Sequence, residues 1–152
     1  TGNNLIAMAW AGGKVGTAAL VRNWALVYLG NFLGALGTAV LVFVGGHHHG
    51  GGGATGNAAL SIAAGKLDLE LPAALALGIL CNALVCLAVW MNYGARSTVD
   101  KFVAVVLPVT AFVAAGFEHS VANMYFIPAA LLIRYADPAF AADSGVPLGS
   151  LT

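Results

Sequence analysis

Glu118 and His119 are the one acid and the one histidine in the longest apolar stretch of the chain, Phe102 to Ile133. They lie in Gly116-Phe117-Glu118-His119-Ser120-Val121-Ala122-Asn123, a window of mostly small and polar residues between two apolar segments. Imidazole exchanges a proton near neutral pH. A charged group inside a membrane helix costs at least about 2.5–3.5 kcal/mol on insertion scales, so it must face a cavity or a partner. His119 therefore reads as a group that hydrogen-bonds or protonates a ligand, against the plainer alternative of a structural histidine bonded to a neighbouring helix. Two roles are open to Glu118: counter-ion to His119, or a carboxylate turned into backbone N–H groups that pins the loop.

The neighbouring residues say how this pair is held. Gly116 can end one half-helix, and Ser120 can cap the next. Such a discontinuous helix is tolerated in a membrane only where its broken backbone lines a cavity. The second half would present unpaired N–H groups and a partial positive charge, both of which attract an anion. The start of the chain follows the same pattern. Thr1-Gly2-Asn3-Asn4-Leu5 and Ser120-Val121-Ala122-Asn123-Met124 both run hydroxyl, two residues, Asn, apolar. Two broken helices suggest inverted repeats around a site at the membrane midplane.

The composition requires a membrane. Of 152 residues 60 % are hydrophobic, and six Lys+Arg with six Asp+Glu make only 8 % charged. A soluble domain carries roughly 25 %, so a soluble globule and a disordered chain are both excluded. A balanced charge leaves no basic footprint for nucleic acid. Uncharged runs from Trp24 to Val44 and from Leu71 to Tyr93 each suit one crossing. Leu5 to Ala11 is too short to cross alone. Lys14, Arg22, Arg96 and Lys101 would share one side, against Lys66 and Arg134 on the other, which makes the 12–23 and 94–101 loops cytoplasmic. The start at Thr1 and the Gly/Pro-containing end at Ser144 to Thr152 suggest an internal fragment.

Other features read as structural. Cys81 and Cys86 lie five residues apart on one helix, roughly 8 Å at about 1.5 Å per residue, beyond the disulfide limit of about 7 Å. The loop Gly45 to Gly53 carries His47, His48 and His49 among glycines. Its composition predicts a flexible, solvated connection that preorganises no metal site. Gly30, Gly34 and Gly37 share a helix face, which predicts a close contact with another helix, within the protomer or between protomers. Trp10, Trp24, Trp90, Tyr28 and Tyr93 near span ends form an interfacial belt.

The stretch Gly78-Ile79-Leu80-Cys81-Asn82-Ala83-Leu84-Val85-Cys86-Leu87-Ala88-Val89-Trp90-Met91 resembles the fourth helix of the formate/nitrite transporter family. Gly116 to Met124 is similar to that family's signature at its broken fifth helix. Thr1-Gly2-Asn3 resembles the end of the loop in its broken second helix, and Arg22-Asn23-Trp24 through Gly30-Asn31-Phe32-Leu33-Gly34 its third helix. The resemblance extends over about residues 1 to 140.

It implies an all-α, aquaporin-like membrane bundle with discontinuous helices. Residues 1–152 would be one partial transmembrane domain of a six-helix protomer: the second half of helix two, helices three and four, and broken helix five. It implies a multi-pass pentamer of the bacterial inner membrane that passes formate, nitrite or hydrosulfide, with no cofactor and no metal. By the same resemblance His119 is the central pore histidine and Thr1 the loop threonine. Glu118 and Asn123 flank the histidine, Lys66 sits in the outer vestibule, Asn82 and Val85 line the pore, and Phe112 forms a constriction. The expected mechanism draws an anion to Lys66 and the half-helix ends. Apolar constrictions at Phe112 and Val85 oppose a hydrated ion. Proton donation from His119 would turn a weak acid neutral and ease its passage. Formate is the first expectation, nitrite and hydrosulfide the alternatives. A membrane enzyme using Glu118 and His119 lacks a second catalytic group, and a purely structural subunit leaves an intramembrane histidine unexplained.

Overall fold

The computed structural model describes residues 2–147 and residue 149; Thr1, expected as the loop threonine, lies outside the described residues. Every regular element among them is helical: α1 Gly2–Ala11, α2 Thr17–Val44, α3 Ala54–Leu67, α4 Leu71–Gly94, α5 Thr98–Ala114, α6 Ser120–Ala136 and α7 Pro138–Asp143. The helix α4 matches the second uncharged run, while α2 contains the first and starts before it at Thr17, taking in Arg22; both are long and apolar enough to cross a membrane. Only 6 % and 11 % of their apolar windows are buried. A core helix of a soluble protein would be covered; these present Leu26, Leu29, Leu33, Leu75 and Ile79 outward, as lipid demands.

The chain forms two compact units. The first takes residues 2–28 and 71–119. Here α4 packs along α5, and α1 is tied to α2 by the Asn23 amide donating to the Asn3 side-chain oxygen at 3.4 Å. The helix α5 opens on a capping box: Ser97 Oγ accepts from Asp100 N–H at 3.1 Å, and Asp100 Oδ2 accepts from Ser97 N–H at 3.0 Å. Its C-terminus is a Schellman closure, with Gly116 N–H on the Val113 carbonyl at 3.1 Å and Phe117 N–H on the Phe112 carbonyl at 3.0 Å. That closure needs a left-handed residue, and Gly116 supplies φ +67°.

The second unit takes residues 29–70 and 120–147. Its core is Leu60, Ala63, Ala130 and Ile133, where α3 meets α6, with Phe43 and Phe140 packed against it. Alanines on both helices let the backbones approach. Asp137 caps α7, accepting from Phe140 N–H at 3.2 Å, and Pro138 follows at the first helical position.

Two expectations are corrected. Residues 45–53 are an ordered reversal, not a flexible loop. Gly46, Gly51, Gly52 and Gly53 all take positive φ. That freedom turns the chain tightly around one 3₁₀ turn at His47–His49, with His48 only 6 % exposed. Ser120 is the first residue of α6 and not its cap. Around Gly30, Gly34 and Gly37 nothing within the described residues lies within 4 Å of a Cβ built on any of them, so the close contact expected of this face is not made inside this chain and is left to a helix outside it. The cysteines are free, as their spacing requires.

Candidate functional site

The candidate site lies in the first unit, at the end of α5. The Schellman closure at Gly116 reverses the chain, and residues 117–119 follow in extended or irregular conformation before α6 begins. The reversal returns His119 to the helix it has just left. Its ring stacks on Phe112, with centroids 5.9 Å apart and planes inclined by 23°. Glu118 and His119 are both half-buried. The two helices flanking the break, α5 and α6, have 17 residues each, so the interruption divides the long apolar run evenly.

Against this break lies α4. A Cβ on Gly78 would stand 3.9 Å from the Glu118 carbonyl oxygen, so the loop rests on the helix at ordinary contact distance. Asn82 and Val85 follow Gly78 at i+4 and i+7 and share its face. Asn82 is exposed and Val85 half-buried. Val85 also lines an apolar cleft of about 510 Å³ with Leu5, Val105 and Val109, which has Asn92 and Lys101 among its polar residues. In the sequence Lys101 carries no signal beyond its charge, which counts toward orientation. Its place beside the cleft follows from the start of α5, which the capping box fixes.

The structure thus brings Phe112, Glu118 and His119 together, with the α4 face of Asn82 and Val85 in the same unit. Lys66 and Asn123 belong to the second unit: Lys66 half-buried in the last turn of α3, Asn123 half-buried in the first turn of α6. Asp100, outside the apolar run, has its carboxyl held below the usual range by the Ser97 side chain first, then by the Ser97 and Arg96 backbone N–H groups.

This arrangement can offer an imidazole to a ligand in a mostly apolar setting beside a broken helix. Comparison with known proteins points the same way. The formate channel FocA of Haemophilus influenzae is 40% identical over 147 residues, which are 96% of this chain and 52% of that protein. The formate channel FocA of Escherichia coli K12 is 45% identical over 141 residues, 92% of this chain and 50% of that protein. The chain therefore spans about half the length of the curated relatives it matches. A solved pentameric formate channel with formate bound superposes with a TM-score of 0.82 at 40% identity, covering 92% of this chain and 55% of that one. The family model for formate/nitrite transporters matches residues 1–149. With a membrane-type helical bundle, a helix broken at Gly116-Phe117-Glu118-His119 and these relatives, the chain belongs to the formate/nitrite transporter family, a family of transporters and not of enzymes.

Proposed function

We propose that the chain supplies part of the conducting pathway of a small-anion channel, with formate as the preferred substrate. The observation that carries this is the stack of Phe112 on His119 at a helix break, in a chain related to formate channels. An apolar ring beside a proton donor opposes a hydrated anion and eases a neutral weak acid. His119 is the proton donor in this scheme, and Glu118 sets the loop geometry. Asn82 and Asn123 offer amide contacts, Val85 and Phe112 narrow the path, and Lys66 gathers anions. Thr1 would complete the pathway from the opposite half-helix. The relatives' channel character supports a homopentamer in the bacterial inner membrane, built on one transmembrane domain, with the connections around residues 12–23 and 94–101, helix ends included, on the cytoplasmic side. Nitrite and hydrosulfide are the alternative substrates within the same family.

Proteoliposomes holding the full-length protein test this. Formate uptake that formate, nitrite and hydrosulfide inhibit in that order is the expected result. An absence of anion flux in correctly assembled protein would leave a structural subunit as the better reading.

A further inference from the structure

The triple-histidine turn has no place in that pathway, yet it is among the more carefully held parts of the second unit. His48 and His49 both direct Nε2 at one oxygen of Asp137, at 3.3 Å and 3.4 Å from Oδ2. The three ligand-type atoms lie within 4.8 Å of one another. Asp137 is 89 residues from His48 in sequence. The His48 ring is fixed by stacking on Phe43, centroids 4.8 Å apart and planes 9° apart, and by the edge of Phe140 at 5.5 Å. Oδ1 of Asp137 is already engaged by Phe140 N–H at 3.2 Å, which leaves Oδ2 to face the histidines.

We propose that His48, His49 and Asp137 form a binding site for a divalent transition-metal cation of the zinc class. Zinc–nitrogen and zinc–carboxylate bonds of about 2.0–2.2 Å place neighbouring ligands of a tetrahedron roughly 3.3–3.6 Å apart. The two His–Asp separations already have that length. The third edge, between the histidines, closes by a swing of His49, which is 59% exposed and so has room to move. Two imidazoles and a carboxylate suit a borderline cation such as zinc and not calcium or magnesium, which prefer oxygen ligands. The Phe140 N–H on Asp137 is the outer partner that orients the carboxylate.

Three protein ligands leave one tetrahedral position open for water. Metal at His48 Nε2 puts the ring proton on Nδ1, which is buried and has no partner among the described residues. His48 borders a cavity of about 40 Å³, room for the single water that such a proton requires. A bound cation would clamp the turn after α2 to the α6–α7 corner. His47 stands outside the cluster and is exposed.

The test needs no transport. Full-length protein, purified without a polyhistidine tag and placed in nanodiscs, is titrated with zinc and, separately, with cobalt(II) followed by its visible absorption. One cation per chain is expected, with a cobalt spectrum of tetrahedral type. His49→Gln and Asp137→Asn should each weaken binding by about tenfold or more, while His47→Gln binds like the parent. Asn at 137 retains a carbonyl oxygen to accept the Phe140 N–H, so that variant should stay folded. No binding at high micromolar zinc overturns the proposal. So does His49→Gln protein that binds like the parent, or a His47→Gln loss as large as that of His49→Gln. A proton-sensitive His48–Asp137 pair that takes no metal would show itself by the first of these outcomes.

Discussion

Phe112 and His119 stack face on face at 5.9 Å although a helix end lies between them in sequence. The contact depends on the reversal at Gly116, not on a regular helix. In an unbroken helix, residues seven apart lie about two turns, or roughly 10 Å, from each other along the axis. The left-handed residue shortens that distance and returns the imidazole to the phenyl ring.

Gly116→Ala tests this dependence. A Cβ at Gly116 meets nothing within 4 Å, so the only cost is the positive φ. That strain is about 1–2 kcal/mol for a residue with a side chain. The variant should unfold at lower temperature than the parent and lose part of its pH-dependent formate flux, because His119 is displaced. Thermal unfolding in detergent and flux in proteoliposomes check the two effects together. Unchanged flux would show that the stack does not matter for passage.

His119→Asn keeps a hydrogen-bonding amide and removes the titratable group. The full-length variant is expected to assemble normally and to conduct anions with a flat pH profile. Flux measured from acid to neutral pH decides it. A profile that follows the parent's would mean that the proton comes from elsewhere.

Whether a feature is legible in the sequence depends on whether its cause is local. The long apolar helices α2 and α4 follow from uncharged runs, and the break follows from Gly116, Glu118 and His119 in an apolar setting. The helix α3 leaves no such mark, because its 14 residues, Ala54–Leu67, are too few to register as a span and carry little amphipathic contrast. The turn at His47–His49 reads as flexible because glycine content predicts flexibility locally. Its order comes from Phe43, Phe140 and Asp137, the last two some 90 residues away in sequence, and no local pattern reveals them. The proposed pore roles of Thr1, Lys66, Asn82, Val85 and Asn123 rest on family resemblance.

Lys66→Gln addresses the one cation among those residues. Asp68 and Glu70 follow it closely in sequence and compete for its charge. If Lys66 gathers anions through its field, the loss of flux should be larger at low salt than at high salt. The Debye length shrinks from about 10 Å at 0.1 M to about 3 Å at 1 M. Initial flux at the two ionic strengths is the measurement, and equal losses would assign Lys66 to packing at the end of α3.

Ser97→Ala removes the cap of α5 and should lower stability by about 1 kcal/mol at neutral pH. The Asp100 carboxyl titrates below its ordinary value, so its share of the box is complete above about 3.9, the unfolded-chain value. It is lost as the pH falls through the lower folded value. The gap between variant and parent should therefore narrow in strong acid. Thermal unfolding at neutral pH and near pH 3 measures it, and a constant gap would show that the carboxylate adds nothing to the serine.

Two glycines of α3 give opposite signs from the same substitution. A Cβ on Gly56 would lie 2.6 Å from the Phe140 ring and 2.8 Å from the His48 carbonyl oxygen. The ring can tilt, but the carbonyl belongs to the turn that holds His48, so Gly56→Ala must push that turn aside. Overpacking of this kind costs about 1–3 kcal/mol. On Gly65 a Cβ meets nothing within 4 Å, and alanine there should gain about 0.5–1 kcal/mol from helix propensity alone. Thermal unfolding of the two variants beside the parent gives the comparison. Gly56→Ala should also weaken zinc binding, because His48 shifts away from Asp137, whereas Gly65→Ala should not. Gly56→Ala protein as stable as the parent would mean that the turn yields freely around Phe140, and the ordered reversal at His47–His49 would lose its structural basis.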